Sequence, residues 1–153
     1  MAEFKHYSVM LFESVDGLKV ENGYYVDCTC GGGGHSLEII KRIKDGKLIA
    51  IDQDKAAIES ASKRLEAYKD KLIVIKDNFS NVSEIVRSQG IERINGAIID
   101  LGVSSYQLDT PERGFSYMND APLDMRMASA ATSAINVITV LHLQTVNRFK
   151  KHN

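Results

Sequence analysis

The stretch Tyr24-Tyr25-Val26-Asp27-Cys28-Thr29-Cys30-Gly31-Gly32-Gly33-Gly34-His35 decides the fold of this chain. An apolar, β-rich segment runs into four consecutive glycines, and apolar residues at helical spacing follow at once. A strand, a glycine turn and a helix start form the first half of a nucleotide-binding βαβ unit. Glycines suit this turn because a backbone without Cβ atoms turns tightly and lets a ligand approach closely. The free N–H groups of the helix's first turn then face the crevice.

A second predicted strand supports this interpretation. The segment 47–51 is apolar after its first residue and runs into Asp52, which stands 21 positions after Gly31. A carboxylate at that place accepts hydrogen bonds from the ribose hydroxyls of an adenosine ligand. Together with the glycine turn, it predicts a cofactor that contains a nucleoside rather than a purely structural turn.

Two cofactors are compatible with these residues. The dinucleotide pattern G-x-G-x-x-G/A needs a small third residue, and Ser36 or, in the shifted register, Leu37 stands there. Ser36 keeps a nicotinamide dinucleotide open. Asp27, however, places a carboxylate where a pyrophosphate would lie, and like charges so close repel each other. Because it suits the amino group and sulfonium of S-adenosylmethionine better, we favour the methyl donor.

The rest of the chain predicts an α/β domain with a parallel sheet, since strands and helices alternate. The predicted elements are a short amphipathic helix over 8–17, a helix capped by Asp54, a strand over 72–75, a helix that opens at an Asn81/Glu84 capping box and ends at Gly90, and a strand over 97–99. The continuously apolar strand 72–75 is expected to be covered on both faces. Residues 101–127 show no sustained period and predict a long loop at the end of a strand that forms part of a site.

The composition limits the classes of protein that need to be considered. The chain of 153 residues is 44% apolar and 25% charged with a net charge of −1, so it has no overall electrostatic footprint for nucleic acid. It has neither an apolar run of membrane-spanning length nor a signal-peptide pattern, and we predict a cytoplasmic protein without membrane contact. Cys28, Cys30 and His35 lack a fourth ligand at a recognisable spacing. We therefore predict no metal site and interpret the cysteines as small loop fillers.

Further motifs carry a resemblance to a known family. In order along the chain they are Val26-Asp27, Thr29, Gly31, Gly33-Gly34-His35-Ser36, Ala50-Ile51-Asp52 with Asp54, Asn78-Phe79-Ser80, residues 100–105, Gln107-Leu108-Asp109, residues 112–116 and residues 123–127. They resemble the bacterial ribosomal small-subunit RNA (cytosine-N4) methyltransferases, the RsmH or MraW family. The resemblance implies a Rossmann-like fold that uses S-adenosylmethionine and acts on a cytosine of small-subunit ribosomal RNA.

The resemblance also implies roles for individual residues. Its cofactor contacts fall on Gly33, Gly34, His35, Asp52, Phe79, Asp100 and Gln107. Phe79 corresponds to the residue beside the adenine, and Asp100 and Gln107 flank the reacting end of the cofactor. Asp100 is the implied catalytic residue, since its carboxylate can hold an N–H of the cytosine amine. For the ring of His35, a capping or packing role is as compatible with the sequence as a catalytic one.

The match predicts two segments. Residues 1–138 are expected to form the N-terminal part of the methyltransferase domain, and residues 139–153 an unmatched tail. The parallel sheet would then be incomplete at its C-terminal side and open to self-association through its edge. For this chain we expect weak or absent cofactor binding and methyl transfer below detection. The alternative function is a non-catalytic cofactor-binding fragment or, as a further alternative, a nicotinamide-dinucleotide-binding domain.

Overall fold

The structure, a computed structural model, describes residues 8–128. Parallel strands alternate with helices along this range. The strands are β1 Gly23–Asp27, β2 Gly46–Asp52, β3 Leu72–Lys76 and β4 Gly96–Ile98. The α-helices are α1 Leu11–Gly17, α2 Gly34–Arg42, α3 Lys55–Arg64, α4 Val82–Ser88 and α5 Ser105–Asp109. Short 3₁₀ helices cover Glu66–Lys71, Phe79–Asn81 and Pro111–Arg113.

The chain divides into two compact units, of which the first ends at Leu101 and the second begins at Gly102. The strands β1 to β4 and the helices α1 to α4 belong to the first unit, and α5 belongs to the second. The predicted boundary at residue 138 lies outside the described residues and stays a prediction.

The strands of the first unit form one parallel sheet in the order β3-β2-β1-β4. The chain moves outward from β1 through β2 to β3 and then returns to the other side of β1. This reversal is a switch point, and open α/β sheets bind ligands in the crevice beyond the carboxyl ends of the strands there. The glycine turn leaves β1 at that edge. The predicted α/β class with a parallel, Rossmann-like sheet is therefore confirmed.

Both faces of the central strands β1 and β2 are covered, as in a parallel sheet. One cluster of buried residues joins β1 and β2 to α1, α2 and α3, and the other joins the same strands to α4. Alternation along β1 divides its side chains between the two, so that Tyr25 belongs to the first cluster and Val26 to the second. The sheet, rather than any single helix, therefore organises the core.

The first helix differs from its prediction. It begins after the expected start because Met10, at its N-cap, has a left-handed φ of 49°. Val9, Met10 and Phe12 are exposed, whereas Val15 is fully buried. The prediction that the apolar residues of this segment are buried is thus confirmed for Val15. It is wrong for the exposed residues at the start of the segment.

The capping box predicted at the start of α4 is wrong. Asn81 has no side-chain capping bond, and its amide donates to Asp77 Oδ1 at 2.9 Å. Asn78 does the capping instead, since its Oδ1 accepts the Ser80 N–H at 2.9 Å and opens a 3₁₀ turn. The side-chain cap of this segment therefore opens the 3₁₀ helix that precedes α4 and not α4 itself.

The outer strand β3 also differs from its prediction. Its apolar residues 72–75 are half-buried rather than covered on both faces, because β3 lies at the edge of the sheet formed by the described strands. Self-association through such an edge stays a prediction. In the part of the chain that is described, no helix combines the length and the apolar character needed to cross a lipid bilayer.

A pair of glycines fixes the start of the central strand pair. Gly23 and Gly46 are register partners, and they have φ values of 126° and 127°. A Cβ on Gly46 would lie 1.9 Å from the backbone oxygen of Gly23. Because backbone atoms cannot move aside cheaply, a side chain at this position forces the two strands apart.

We expect Gly46→Ala to lower the free energy of unfolding by about 2–4 kcal/mol, from the strained φ and the backbone clash together. Gly17→Ala is the matched control because nothing lies within 4 Å of a Cβ there. Urea unfolding followed by circular dichroism measures both variants. Equal stability of the two variants would contradict the proposed clash.

Candidate active site

The glycine turn between β1 and α2 is held by backbone hydrogen bonds. The Cys30 N–H donates to the Ile51 carbonyl at 2.9 Å, and the Gly33 N–H donates to the Cys30 carbonyl at 2.7 Å. Gly33 has a φ of 78°, and a Cβ there would meet Ala61 of α3 at 3.4 Å. The left-handed φ therefore favours glycine at position 33, whereas a Cβ there would make only ordinary van der Waals contact with α3.

The other three glycines of the turn have different surroundings. A Cβ on Gly34 would lie 1.9 Å from Ser8 Oγ, so the segment before α1 lies against the turn at that point. A Cβ on Gly31 or Gly32 would meet nothing nearer than 3.9 Å. Gly32 is exposed and Gly31 half-buried, whereas Gly33 is buried, so the side of the turn that a ligand can reach is that of Gly31 and Gly32. Ligand contacts of Gly33 and Gly34 stay predictions.

Asp52, at the end of β2, reaches back to the turn. Its Oδ2 accepts the Gly31 N–H at 2.9 Å, and its Oδ1 accepts the Asp54 N–H at 2.9 Å. Asp54 in turn caps α3 by accepting the Ala56 N–H at 3.0 Å, which confirms the predicted cap. Each carboxylate oxygen of Asp52 has a second lone pair, so hydrogen bonds from ribose hydroxyls remain chemically compatible with these contacts.

Asp27 is buried below the turn and does not offer the open carboxylate expected from the sequence. It is 1% exposed, its Oδ2 accepts the Ser36 hydroxyl at 2.6 Å, and its Oδ1 accepts the Thr29 N–H at 3.2 Å. Burial raises the pKa of Asp27 above its ordinary value, and the Ser36 hydrogen bond opposes this effect. Asp27 therefore holds the turn in shape, and any effect on a ligand acts through that shape.

His35 and Asp100 lie together at the switch point. The ring of His35 is buried, and its Nε2 lies 3.2 Å from the Val9 carbonyl oxygen, which can only accept a hydrogen bond. Its Nδ1 lies 3.9 Å from Asp100 Oδ2. The Asp100 side chain is 52% exposed, and its backbone N–H donates to Thr29 Oγ1 at 2.8 Å. The predicted catalytic carboxylate thus stands at the mouth of the crevice.

Phe79 follows β3 at the same edge of the sheet. It is half-buried and packs against the cluster that contains Ile51 and Ile85. This placement leaves part of the ring for a flat ligand, although the packing alone also accounts for an aromatic residue there. Its place beside an adenine stays a prediction.

In the second unit, Gln107 has a structural partner that the sequence analysis missed. Its Oε1 accepts the Ser104 N–H at 2.9 Å, and its own N–H donates to Ser104 Oγ at 3.2 Å. This is a capping box for α5, and the spacing Ser-x-x-Gln could have predicted it. The expected loop without regular structure therefore contains a short helix. A role of Gln107 toward the cofactor stays a prediction.

The two late motifs of the second unit contact each other. The Met125 N–H donates to the Arg113 carbonyl at 3.0 Å, and Arg113 Nη2 donates to the Arg126 carbonyl at 3.0 Å. A Cβ on Gly114 would lie 2.2 Å from the Pro122 carbonyl oxygen. The segments 112–116 and 123–127, which are separate in sequence, therefore form one closed loop.

The cysteines pack as fillers, as predicted. Cys28 belongs to the cluster under α4 and Cys30 to the opposite cluster, so the sheet separates their side chains. Burial raises the pKa of Cys28 to about 11 and raises that of Cys30 as well, so both remain protonated thiols near neutral pH. Among residues 8–128, no group of three or more His, Cys, Asp or Glu is placed to hold a metal ion.

Comparisons with known proteins agree on one family. The model of the MraW methylase family matches residues 3–151. A ribosomal RNA small subunit methyltransferase H of Finegoldia magna is 55% identical over 126 residues, which are 82% of this chain and 40% of that protein. One from Clostridium botulinum is 51% identical over 153 residues, or 98% of this chain and 49% of that protein. The chain thus spans about half the length of the curated relatives it matches, or less.

Solved structures agree on the fold. An rRNA methylase from Streptococcus thermophilus aligns with a TM-score of 0.52 and 28% identity over 66% of this chain and 58% of that one. A Streptococcus mutans protein described as a methyltransferase, in complex with SAH, aligns with a TM-score of 0.54 and 23% identity over 65% and 56% of the two chains.

The raised pKa of Asp27 leads to a dependence of stability on pH. A carboxyl whose pKa is higher in the folded protein stabilises it fully below the unfolded value, here 3.8. That stabilisation is lost as the pH rises through the folded pKa. Relative to Asp27→Asn, we expect the free energy of unfolding of the unsubstituted protein to fall with rising pH, by at most about 1.4 kcal/mol per unit.

Urea unfolding between about pH 4 and pH 8 measures this difference. Asp70→Asn, at an exposed position, controls for the loss of one negative charge. The compared quantity is the free energy of unfolding of the unsubstituted protein minus that of Asp27→Asn. If this difference stays constant or increases as the pH rises, the expected direction is wrong.

Proposed function

The chain belongs to the MraW methylase family, and from that premise we propose that it is the cofactor-binding part of a methyltransferase. The donor is S-adenosylmethionine, and the acceptor is N4 of a cytosine in small-subunit ribosomal RNA. The proposal is supported above all by the glycine turn, which is accessible at Gly31 and Gly32 and has the Asp52 carboxylate fixed against it. Because ribosomal RNA is the acceptor, we place the reaction in the cytoplasm.

The residues at the crevice fit the cofactor. Asp52 keeps lone pairs for the ribose hydroxyls, and Phe79 presents part of a ring next to the end of β3. The first turn of α2 has backbone N–H groups without intrahelical partners, which suit the carboxylate of the amino-acid portion. When bound, S-adenosylmethionine supplies the methyl group as an electrophile.

Asp100 is the residue to which we assign the acceptor side. The N4 amine of cytosine is a poor nucleophile because its lone pair is delocalised into the ring. A carboxylate oxygen of Asp100 can accept one N–H of that amine, favour a pyramidal nitrogen and direct its lone pair toward the methyl group. Alignment and a desolvated crevice then supply most of the acceleration. The target base has to be extruded from the RNA before it can react. Because Asp100 is half-exposed, an extruded base can reach its side chain, which supports this role.

Calorimetric titration with S-adenosylhomocysteine tests the cofactor assignment. We expect binding of S-adenosylhomocysteine to be weak at most, and no binding of a nicotinamide dinucleotide under the same conditions. The opposite preference would replace the methyltransferase proposal with the dehydrogenase-like alternative.

We expect Asp52→Ala to weaken binding of S-adenosylhomocysteine by about 1.5–3 kcal/mol, the range for hydrogen bonds that involve a charged group. The substitution also frees the Gly31 N–H, so urea unfolding is measured in parallel. Asp54→Ala is the matched control. It removes the α3 cap and is expected to lower stability by about 1 kcal/mol while affinity is retained. Unchanged affinity in folded Asp52→Ala would remove Asp52 from the site.

Transfer of a labelled methyl group to small ribosomal subunits that lack the modification tests the reaction. The Clostridium botulinum relative is the positive control. For this chain we expect no detectable transfer, because RNA affinity depends on many phosphate contacts from Lys or Arg and the net charge here is −1. Labelling of one cytosine by the chain would contradict that expectation and support the full activity, whereas labelling of many sites would contradict the proposed acceptor.

A further inference from the structure

Two side chains surround Asp100, one bonded to its backbone and one beside its carboxylate. Its backbone N–H donates to Thr29 Oγ1 at 2.8 Å, and its carboxylate lies 3.9 Å from His35 Nδ1. Thr29 comes from the turn after β1, and His35 comes from the first turn of α2. Both elements are packed into the core, so they are firmer supports than the loop that carries Asp100.

The supports of Asp100 are themselves fixed. The Thr29 N–H donates to Asp27 Oδ1, and Asp27 is held on its other oxygen by the Ser36 hydroxyl. The His35 ring is oriented by the Val9 carbonyl, which places the ring hydrogen on Nε2 and turns Nδ1 toward Asp100. A chain of contacts thus runs from buried Asp27 to the exposed carboxylate.

We propose that Thr29 and His35 are positioning residues for Asp100, Thr29 through the backbone and His35 through the carboxylate. The inference rests on the proposed function, because it concerns the residue to which that function assigns the acceptor amine. The neutral His35 ring presents a lone pair at Nδ1, and its protonated form presents an N–H to Asp100. The neutral ring therefore limits where the carboxylate settles by occupying the space beside it and by repulsion from the Nδ1 lone pair, not by a hydrogen bond.

Native-state hydrogen exchange tests the backbone support without any ligand. We expect Thr29→Val, which keeps the shape of the side chain but removes its hydroxyl, to speed exchange of the Asp100 amide at least about fivefold. Thr29→Ser keeps the hydroxyl and is expected to restore slow exchange. The Cys28 N–H, which donates to the Ile98 carbonyl at 2.9 Å, reports whether the end of β1 stays intact. Unchanged exchange at Asp100 in folded Thr29→Val overturns this support.

A double-mutant cycle tests whether the two residues act through the Asp100 side chain. We expect Thr29→Val and His35→Phe each to weaken binding of S-adenosylhomocysteine about threefold to tenfold, and to have little further effect once Asp100 is changed to Ala. Equal losses in both backgrounds would show that these residues act independently of Asp100, which overturns the proposal.

Failure of the inference and failure of the proposed function give different results. If a nicotinamide dinucleotide binds and S-adenosylhomocysteine does not, the proposed function fails. In that case, the positioning roles are tested only by hydrogen exchange of the Asp100 amide and by the nitrogen chemical shifts of the His35 ring. An Nε2–H tautomer in the neutral ring supports the contact with Val9, and an Nδ1–H tautomer overturns it.

Discussion

The Asp52 carboxylate joins two backbone segments on either side of the crevice. One oxygen accepts an N–H from the glycine turn, and the other accepts the N–H of the residue that caps α3. An ionised acceptor with backbone donors forms stronger hydrogen bonds than a neutral pair. The end of β2, the turn after β1 and the start of α3 are thereby fixed relative to one another. The shape of the crevice at the edge of the sheet depends on this connection.

Much of the fold could be predicted because parallel strands leave a plain signal. Runs such as 47–51 are apolar because both faces of their strand are covered, and the glycines after β1 mark the turn. The predictions that were wrong concern a helix cap, for which two residues compete, and the burial of a strand. Asn78 and Asn81 are similar as possible caps, and the amide of Asn81 is instead bonded to Asp77, four residues before it. Burial of β3 depends on whether another strand lies beside it, which periodicity does not report.

The site could be predicted in part. The positions of Asp52 and Asp100 follow from the ends of strands, which meet at one edge of the sheet. The partners of Asp27 could not be predicted in this way, because the link from Ser36 needs the exact angle at which α2 leaves the turn. The sequence indicates Thr29 only as one residue of the motifs shared with the family. Nothing in its spacing predicts the hydrogen bond to the Asp100 backbone. For Gln107, the spacing Ser-x-x-Gln is sufficient to predict the capping box of α5.

The contact between Ser8 and Gly34 has a consequence for how the two positions can change. The space that a Cβ of Gly34 would need is filled by the hydroxyl of Ser8. The two residues, 26 positions apart in sequence, therefore share one small volume. A relative that carries a side chain at the position of Gly34 has to carry less at the position of Ser8, or move the segment before α1 away from the turn. The same shift would carry off the Val9 carbonyl and leave the His35 ring free to rotate. A substitution at Ser8, which lies outside the crevice, would thus change the crevice through steric effects and not through charge.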